Sequence, residues 1–482
     1  MSAVNGDLAG VTSPQGDVGE GTFDVDVVVV GAGGCGLTAA IAAAEAGASV
    51  AVLEKGDRAA GNTFVSTGSI PAAGTRYQAA AGVDDDPERM VTDLLRQAGP
   101  HEAEHLLRLL ASQSASLVEW LVEDHHIDLR LITDYKHVGH SVNRLHAPPD
   151  RRGASLMGDL LVEARRMGID IATGNPVTRL LIEDGRVVGV HVDGPRSGSY
   201  DLRAKAVILA ANGFGNNKSM LEKWAPDILG AQYFGSEGST GEALRWCLDL
   251  DAKVANMGAY QGYAAVAYPH GGIVSWTTVE KGGLLLSPQG RRMGDESIGY
   301  SGFATVVAAH AEESFVVFDT RIRDYVASHE PEFAELVKVG GVVEATTPEA
   351  IASRIGCSPQ VVAETLSAYT AAASSEGSDP FGRTDFGMAP LRAPYCVVRS
   401  VPALFHTQGG VDVDAAARVL RHDGTPVPGL FAGGGVAAGV SGASGARGYS
   451  SGNGLLGAVG LGRLAGTAAA AEARPVPAPA RP

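Results

Sequence analysis

Cysteine is scarce. Cys35, Cys247, Cys357 and Cys396 are scattered through 482 residues. No Cys-x-x-Cys or histidine-rich partner spacing accompanies them, so neither a metal site nor a disulfide framework is expected. Free thiols fit a reducing, cytoplasmic compartment. Basic charge is also short: 38 Lys and Arg against 54 Asp and Glu leave a formal charge of −16. Holding phosphates takes clustered cations, so a nucleic-acid partner is not expected. No run of about 20 apolar residues appears, so no integral membrane segment is expected. Met1 to Gly21 lacks the basic stretch and apolar core of a signal peptide. Charged residues are 19% and hydrophobic residues 45%, a balance that folds around a core. What the chain has in plenty is glycine, 64 residues, about twice the usual share. Without a Gly-X-Y period, that excess belongs in loops that turn sharply or approach a ligand closely.

The length predicts several domains, or one large core with an inserted lobe. Residues 1–22 read as a flexible leader and 474–482, alternating Ala and Pro, as a disordered tail. Val25–Val30 is a short β-branched run and predicts a buried strand. A glycine-rich turn, an Ala-rich helix over Leu37–Ala46 and a second strand over Ala48–Leu53 follow. Helical spacing runs from Asp86 to Glu123 and from Gly153 to Met167. Ile169–Ala172, Val177–Ile182 and Val187–Val192 predict a small strand set, with Asp184-Gly185 as a hairpin turn. Ala206–Leu209 predicts another buried strand, and Gly452–Ala471 a closing helix. Between them, residues 258–395 have a different texture, richer in aromatics and polar helices, and are expected to form an inserted lobe. The fold class is therefore α/β: a Rossmann-like dinucleotide-binding domain over 23–257 and 396–473, interrupted by the inserted lobe over 258–395.

Gly31-Ala32-Gly33-Gly34-Cys35-Gly36 carries the clearest chemistry. It follows a strand, opens a helix, and has an acid, Glu54, 18 residues after Gly36. Gly31 permits the tight turn, Gly33 lets the backbone approach a pyrophosphate, and Gly36 lets helix and strand pack closely. The helix N-terminus presents its positive end to phosphate, and Glu54 accepts from ribose hydroxyls. Cys35, inside this loop, is read as a small packing residue. A nicotinamide enzyme and a flavoprotein share this unit. Glycine clusters spread along the whole chain, and the lack of a second such unit, favour FAD.

Val25 to Glu54, Gly61-Asn62-Thr63, Ser66-Thr67-Gly68, Ala210 to Gly213, Ser287 through Glu296, His406-Thr407-Gln408-Gly409-Gly410, Gly429 to Gly434 and Gly452 to Gly457 resemble the fumarate reductase/succinate dehydrogenase flavoprotein family. The resemblance covers most of the chain between leader and tail. It implies a Rossmann-like FAD-binding domain of the glutathione reductase/fumarate reductase type, with an inserted α+β capping domain over 258–395 that closes substrate against the flavin. It implies FAD contacts from Gly31, Gly33, Gly34, Gly36, Glu54, Lys55, Asn62, Thr63, Thr67, Gly68, Val177, Ala211, Gly213, Gly434, Gly452, Asn453 and Leu455. The histidine used by respiratory members for covalent attachment has no counterpart over Arg58–Gly68, which implies non-covalent FAD.

Two departures are informative. Tyr300 stands where fumarate reductases carry a proton-donating arginine, and Tyr449 where they carry a carboxylate-binding arginine. That pair resembles the 3-ketosteroid dehydrogenase branch, and Tyr300-Ser301-Gly302 with Gly448-Tyr449-Ser450-Ser451-Gly452 looks like the Δ4-(5α) type. The implied site is Tyr300, Tyr449, His406 and Ser451. The implied reaction forms a C=C bond beside a ring ketone, by proton abstraction at Cα and hydride transfer from Cβ to flavin N5. Tyr449 would polarise the carbonyl. Tyr300 would be the base, although an ordinary tyrosine titrates near about 10, so neighbours must assist. Arg291, Arg292, Tyr263 and Tyr268 are candidates for that help.

His406 is either a flavin-side residue or a loop histidine capping a carbonyl. Arg447 either binds a carboxylate or pairs at the surface. His140 to Arg144 is expected to be structural or rim, and Glu280 with Lys281 a solvated pair. The expected partners are a small cyclic ketone, either a 3-ketosteroid or a smaller one such as an oxocyclohexane carboxylate, and an external electron acceptor. A reductase of an unsaturated carboxylic acid, like the fumarate and urocanate reductases, is the alternative. A flavoprotein carrying electrons without its own organic substrate is a third reading.

Overall fold

Val27 to Val30 are almost wholly shielded from solvent, because the strand Val25–Val30 lies inside a sheet covered on both faces. The computed structural model describes residues 23–134, 136–195, 198–310, 313–374 and 377–474. The expected leader lies outside these residues, as does the expected tail beyond Arg474. The first sheet has eight strands. Its central order is Arg418–Leu420, Pro426–Ala432, Gly198–Leu209, Val25–Val30, Val50–Glu54 and Asp170–Thr173. From Pro426–Ala432 onward the neighbours are parallel. The glycine motif sits at the end of Val25–Val30 and leads into the helix Gly34–Glu45.

Asp170–Thr173 departs from the sequence expectation. It pairs in parallel with Val50–Glu54 as the sheet's edge, whereas Val177–Glu183 and Arg186–Gly194 form an antiparallel hairpin off the main path. The hairpin turn is Asp184-Gly185, both with positive φ, as a two-residue turn requires. The strand expected at Ala206–Leu209 begins at Gly198. Its first half pairs with the hairpin and its second half with Val25–Val30.

The closing helix Asn453–Ala473 lies on the helix Gly34–Glu45. The backbones nearly touch: a Cβ at Gly466 would fall 2.1 Å from the Ala39 carbonyl oxygen. Among the described residues it is the helix long and apolar enough to cross a bilayer, and here its apolar residues serve the core.

The lobe has its own seven-stranded sheet, with Leu284–Leu286, Ser314–Asp319, Tyr395–Thr407 and Gly258–Ala267 along its main path. A separate hydrophobic core fills it, centred on Phe303, Phe315, Phe318 and Phe333. The longest strand, Tyr395–Thr407, belongs to this sheet, so the lobe's sheet runs past the expected division at 395/396. Its far end, at Phe405 to Thr407, reaches back toward the glycine motif. Asn62 ties the two layers together there: its amide donates to the Phe405 carbonyl at 3.2 Å and its oxygen accepts from the Ser236 N–H at 2.6 Å.

Candidate active site

A cavity of about 1360 Å³ runs between the two sheets. One end is made of backbone. Gly31, Gly33, Gly34, Asn62, Thr63, Thr67, Val177, Ala211, Gly434, Gly452, Asn453 and Leu455 all line it, as do Glu54 and Lys55. A Cβ on Gly33 would find no protein atom closer than 3.9 Å, so the space beside it is open, whereas one on Gly31 would sit 2.5 Å from the Ala210 oxygen. The helix Gly34–Glu45 points its N-terminus into this space, where unsatisfied N–H groups suit a phosphate. Glu54 is held by the N–H groups of Ala32 and Gly56, at 2.9 and 2.8 Å. A carboxylate with two such bonds still has lone pairs for hydroxyl donors. Asn453 Oδ1 and Gln408 Oε1 are buried on the wall without a hydrogen-bond partner among the described residues. Orphaned acceptors of this kind call for a donor from a ligand. The residues therefore fit FAD: open glycines and a helix end for the pyrophosphate, Glu54 for a ribose, and unpaired amide oxygens further along.

Three expected cofactor residues stand behind the wall instead. A Cβ at Gly36 would strike the Gly31 oxygen at 1.8 Å, so this glycine serves helix–strand packing. Gly68 has φ +69° and backs onto Pro148 and Arg152, and a Cβ at Gly213 would meet Thr407 Oγ1 at 2.2 Å. Lys55 lines the wall, but its ammonium is engaged by Glu242 at 2.9 Å and Thr240 at 3.0 Å.

At the other end, three remote segments converge. Tyr300 is the second residue of the helix Gly299–His310, His406 lies in the strand Tyr395–Thr407 rather than in a turn, and Tyr449 and Ser451 precede the closing helix. All four line the cavity. Tyr300 Oη is 3.2 Å from Ser451 Oγ. The rings of Tyr300 and Tyr449 meet edge-on at 6.3 Å, and His406 meets Tyr449 the same way at 5.7 Å. Burial pushes the Tyr300 phenol up to about 12, against the lowering effect of Ser451. Burial also drives Tyr449 well above the ordinary phenol value. His406 is pushed down to about 4 by burial, so its ring is neutral. Cys35 stays a thiol, pushed up to about 12 by burial.

Sequence reasoning did not anticipate the aromatic stack beside Tyr300. Tyr263 stacks on it at 5.0 Å, Phe405 on Tyr263 at 5.3 Å, and Phe234 on Phe405 at 5.7 Å. All four rings line the cavity. Tyr263 donates to the Val274 carbonyl and accepts from the Trp276 N–H, which fixes it in place. Of the four expected assistants, Tyr263 alone reaches the wall. Arg292 is engaged by Glu296 and Asp379 in the lobe, Arg291 is exposed and off the wall, and Tyr268 is exposed under Arg399. Arg447 is also exposed and off the wall.

Glu280 is exposed, and its exposed side belongs to the cavity wall. Lys281 lies over the Tyr325 ring, and Glu280 opens onto the cavity. Partial desolvation by the surrounding lobe wall, reinforced by Glu330, pushes its carboxyl up to about 7. Glu330, Glu332 and Glu335 line the same lobe wall, and burial raises Glu332 too. No spacing in the sequence signals these carboxylates; they come from a loop and two helices brought together only by the lobe's packing.

Residues 26–452 match the family described as FAD binding domain. The chain is 30% identical over 453 residues to the NADH:fumarate oxidoreductase of Klebsiella pneumoniae, covering 93% of this chain and 48% of that protein, so it spans about half of that relative's length. The open conformation of a flavocytochrome c3 fumarate reductase is similar with a TM-score of 0.79 at 29% identity, over 93% of this chain and 78% of that one. The 3-ketosteroid-Δ4-(5α)-dehydrogenase of Rhodococcus jostii is similar with a TM-score of 0.75 at 26% identity, over 94% and 98%. A match spanning both ends of the cavity settles the cofactor: the chain belongs to the FAD binding domain family and is an FAD-dependent oxidoreductase.

Proposed function

We propose that the chain is a dehydrogenase that introduces a C=C bond beside the carbonyl of a neutral ring ketone. The observation that carries this reading is the Tyr300–Ser451 hydroxyl pair at 3.2 Å, next to Tyr449 on the cavity wall. Tyr449 keeps its proton at neutral pH and donates it in a hydrogen bond to the ketone oxygen, which acidifies the Cα–H bond. Tyr300 acts as the base in its phenolate form, its own proton having left to solvent before the step; Ser451 Oγ stabilises that phenolate by donating to Oη, and the Cα proton then restores the phenol. Neutral His406 packs on Tyr449 and keeps its ring in place. Bound FAD supplies the two-electron acceptor for the hydrogen at Cβ. The lobe acts as the cap, and the ring stack from Phe234 to Tyr300 offers a flat apolar ligand a matching surface.

The acidic lobe wall favours one of the two kinds of ketone. Glu280, Glu330, Glu332 and Glu335 repel a carboxylate, so the reading favours a ketosteroid or another uncharged ring ketone over an oxocyclohexane carboxylate. The Rhodococcus neighbour, solved with 4-androstene-3,17-dione, supports this choice. Four free thiols support a cytoplasmic setting, and the final electron acceptor is external. The second reading, a reductase of an unsaturated acid, is favoured by His406 and by the relatives named fumarate reductase.

Anaerobic stopped-flow absorbance separates the two. Bleaching of the flavin band by saturated 3-ketosteroids, lost by about 10² or more in Tyr300→Phe, is the expected result. Reoxidation of the reduced enzyme by an enoic acid, with no ketone bleaching the oxidised form, overturns it.

A further inference from the structure

Ser451 is held from both sides by one segment of the FAD layer. Its N–H donates to the Val138 carbonyl at 3.0 Å, and its carbonyl oxygen lies 2.9 Å from His140 Nε2. A carbonyl only accepts, so Nε2 carries the proton; Nδ1 is buried with no hydrogen-bond partner among the described residues. His140 is 8% exposed, and burial pushes it down to about 4, which keeps the ring neutral and this donor in place. The segment is itself anchored. Arg144 is fully buried, grips both Asp85 oxygens at 2.7 Å and Asp93 at 2.6 Å, and Asp93 also accepts from the Ser141 N–H at 2.9 Å. A guanidinium satisfied by two carboxylates in a buried site is rigid, since any movement leaves a charge unpaired.

We infer that His140 is a positioning residue for the reaction: it fixes the Ser451 main chain, and through it the Ser451 hydroxyl that faces Tyr300. This rests on the dehydrogenase reading for its kinetic part, and on geometry alone for the rest. Losing the donor frees Ser451 Oγ to turn away from Tyr300 Oη, and a displacement of about 1 Å at such a pair costs about 10² in rate. His140→Phe fills the volume without the donor; His140→Gln restores an N–H at a similar reach.

The experiment uses the FAD-loaded protein and two readouts. In stopped flow, His140→Phe lowers the limiting bleaching rate by about 10² with a saturating-ketone midpoint within about threefold of the parent, and His140→Gln recovers most of the rate. In amide hydrogen exchange, Ser451 and Gly452 exchange faster in His140→Phe and return to the parent rate in His140→Gln. Equal loss in both variants, or an unchanged rate and unchanged exchange in His140→Phe, overturns the inference. If no ketone bleaches the parent protein, the dehydrogenase reading fails and the exchange result alone decides the role of His140. Should His140→Phe not fold, His140→Met against His140→Gln gives the same contrast.

Discussion

The two ends of the cavity are built from different materials. The dinucleotide end is backbone: glycines, a helix N-terminus, and Glu54 tied to two N–H groups. The catalytic end is side chains from a lobe helix, a lobe strand and the loop before the closing helix. A glycine packed against neighbouring backbone, as Gly31 and Gly36 are, tolerates no added atom, whereas a side-chain site can lose an atom and keep its shape. Substitutions at the first end should therefore remove the cofactor, and substitutions at the second should change chemistry with the cofactor retained.

Gly36→Ala is the hardest test. Its Cβ would lie 1.8 Å from the Gly31 oxygen, so strand and helix must part. The expected outcome is destabilisation of about 4 kcal/mol or more and purification largely without FAD, read from the absorbance ratio of flavin to protein. Full flavin content with an unchanged Tm would erase the contrast between the two ends.

Glu280→Gln tests the other end. A carboxyl raised to about 7 is neutral below that pH and charged above it, so binding of a carboxylated ring ketone weakens as pH rises through about 7. In Glu280→Gln that pH dependence flattens and affinity at pH 8 improves by about three- to tenfold, with FAD content unchanged; a titration of inhibition against pH checks it. Affinity that rises with pH in the parent protein would show that the lobe wall does not repel anions. The smallest effect belongs to Arg447→Ala. This side chain is exposed and off the wall, so turnover should stay within about twofold; a large loss would restore it as a substrate-binding group.

The same contrast explains what was legible in the sequence. Val25 to Glu54 could be read almost residue by residue, because a strand, a glycine turn, a helix and an acid each leave a local signal. Asp184-Gly185 marked its hairpin for the same reason. Asp170–Thr173 was legible as a strand but not as the parallel edge of the main sheet, since periodicity reports burial and not the neighbour. Tyr395–Thr407 carries both lobe and site residues, and nothing in its texture marks where one layer gives way to the other. Tyr300 and Tyr449 stood out by resemblance, as substitutions in a known pattern. Phe234, Phe405 and Glu280 had no local signal, because their roles come from what lies across the cavity.

The strand Pro426–Ala432 completes the central sheet, and the helix Asn453–Ala473 covers the first helix. Both emerge from the ribosome long after Val25–Val30 has been made. Val25–Val30 has both strand neighbours once Leu209 is made, but its first helix stays uncovered until residues 453–473 are made. The dinucleotide end, which needs Gly434, Gly452, Asn453 and Leu455, is therefore finished last, and a ribosome that stalls before Pro426 leaves a chain with an incomplete cofactor site and an uncovered first helix.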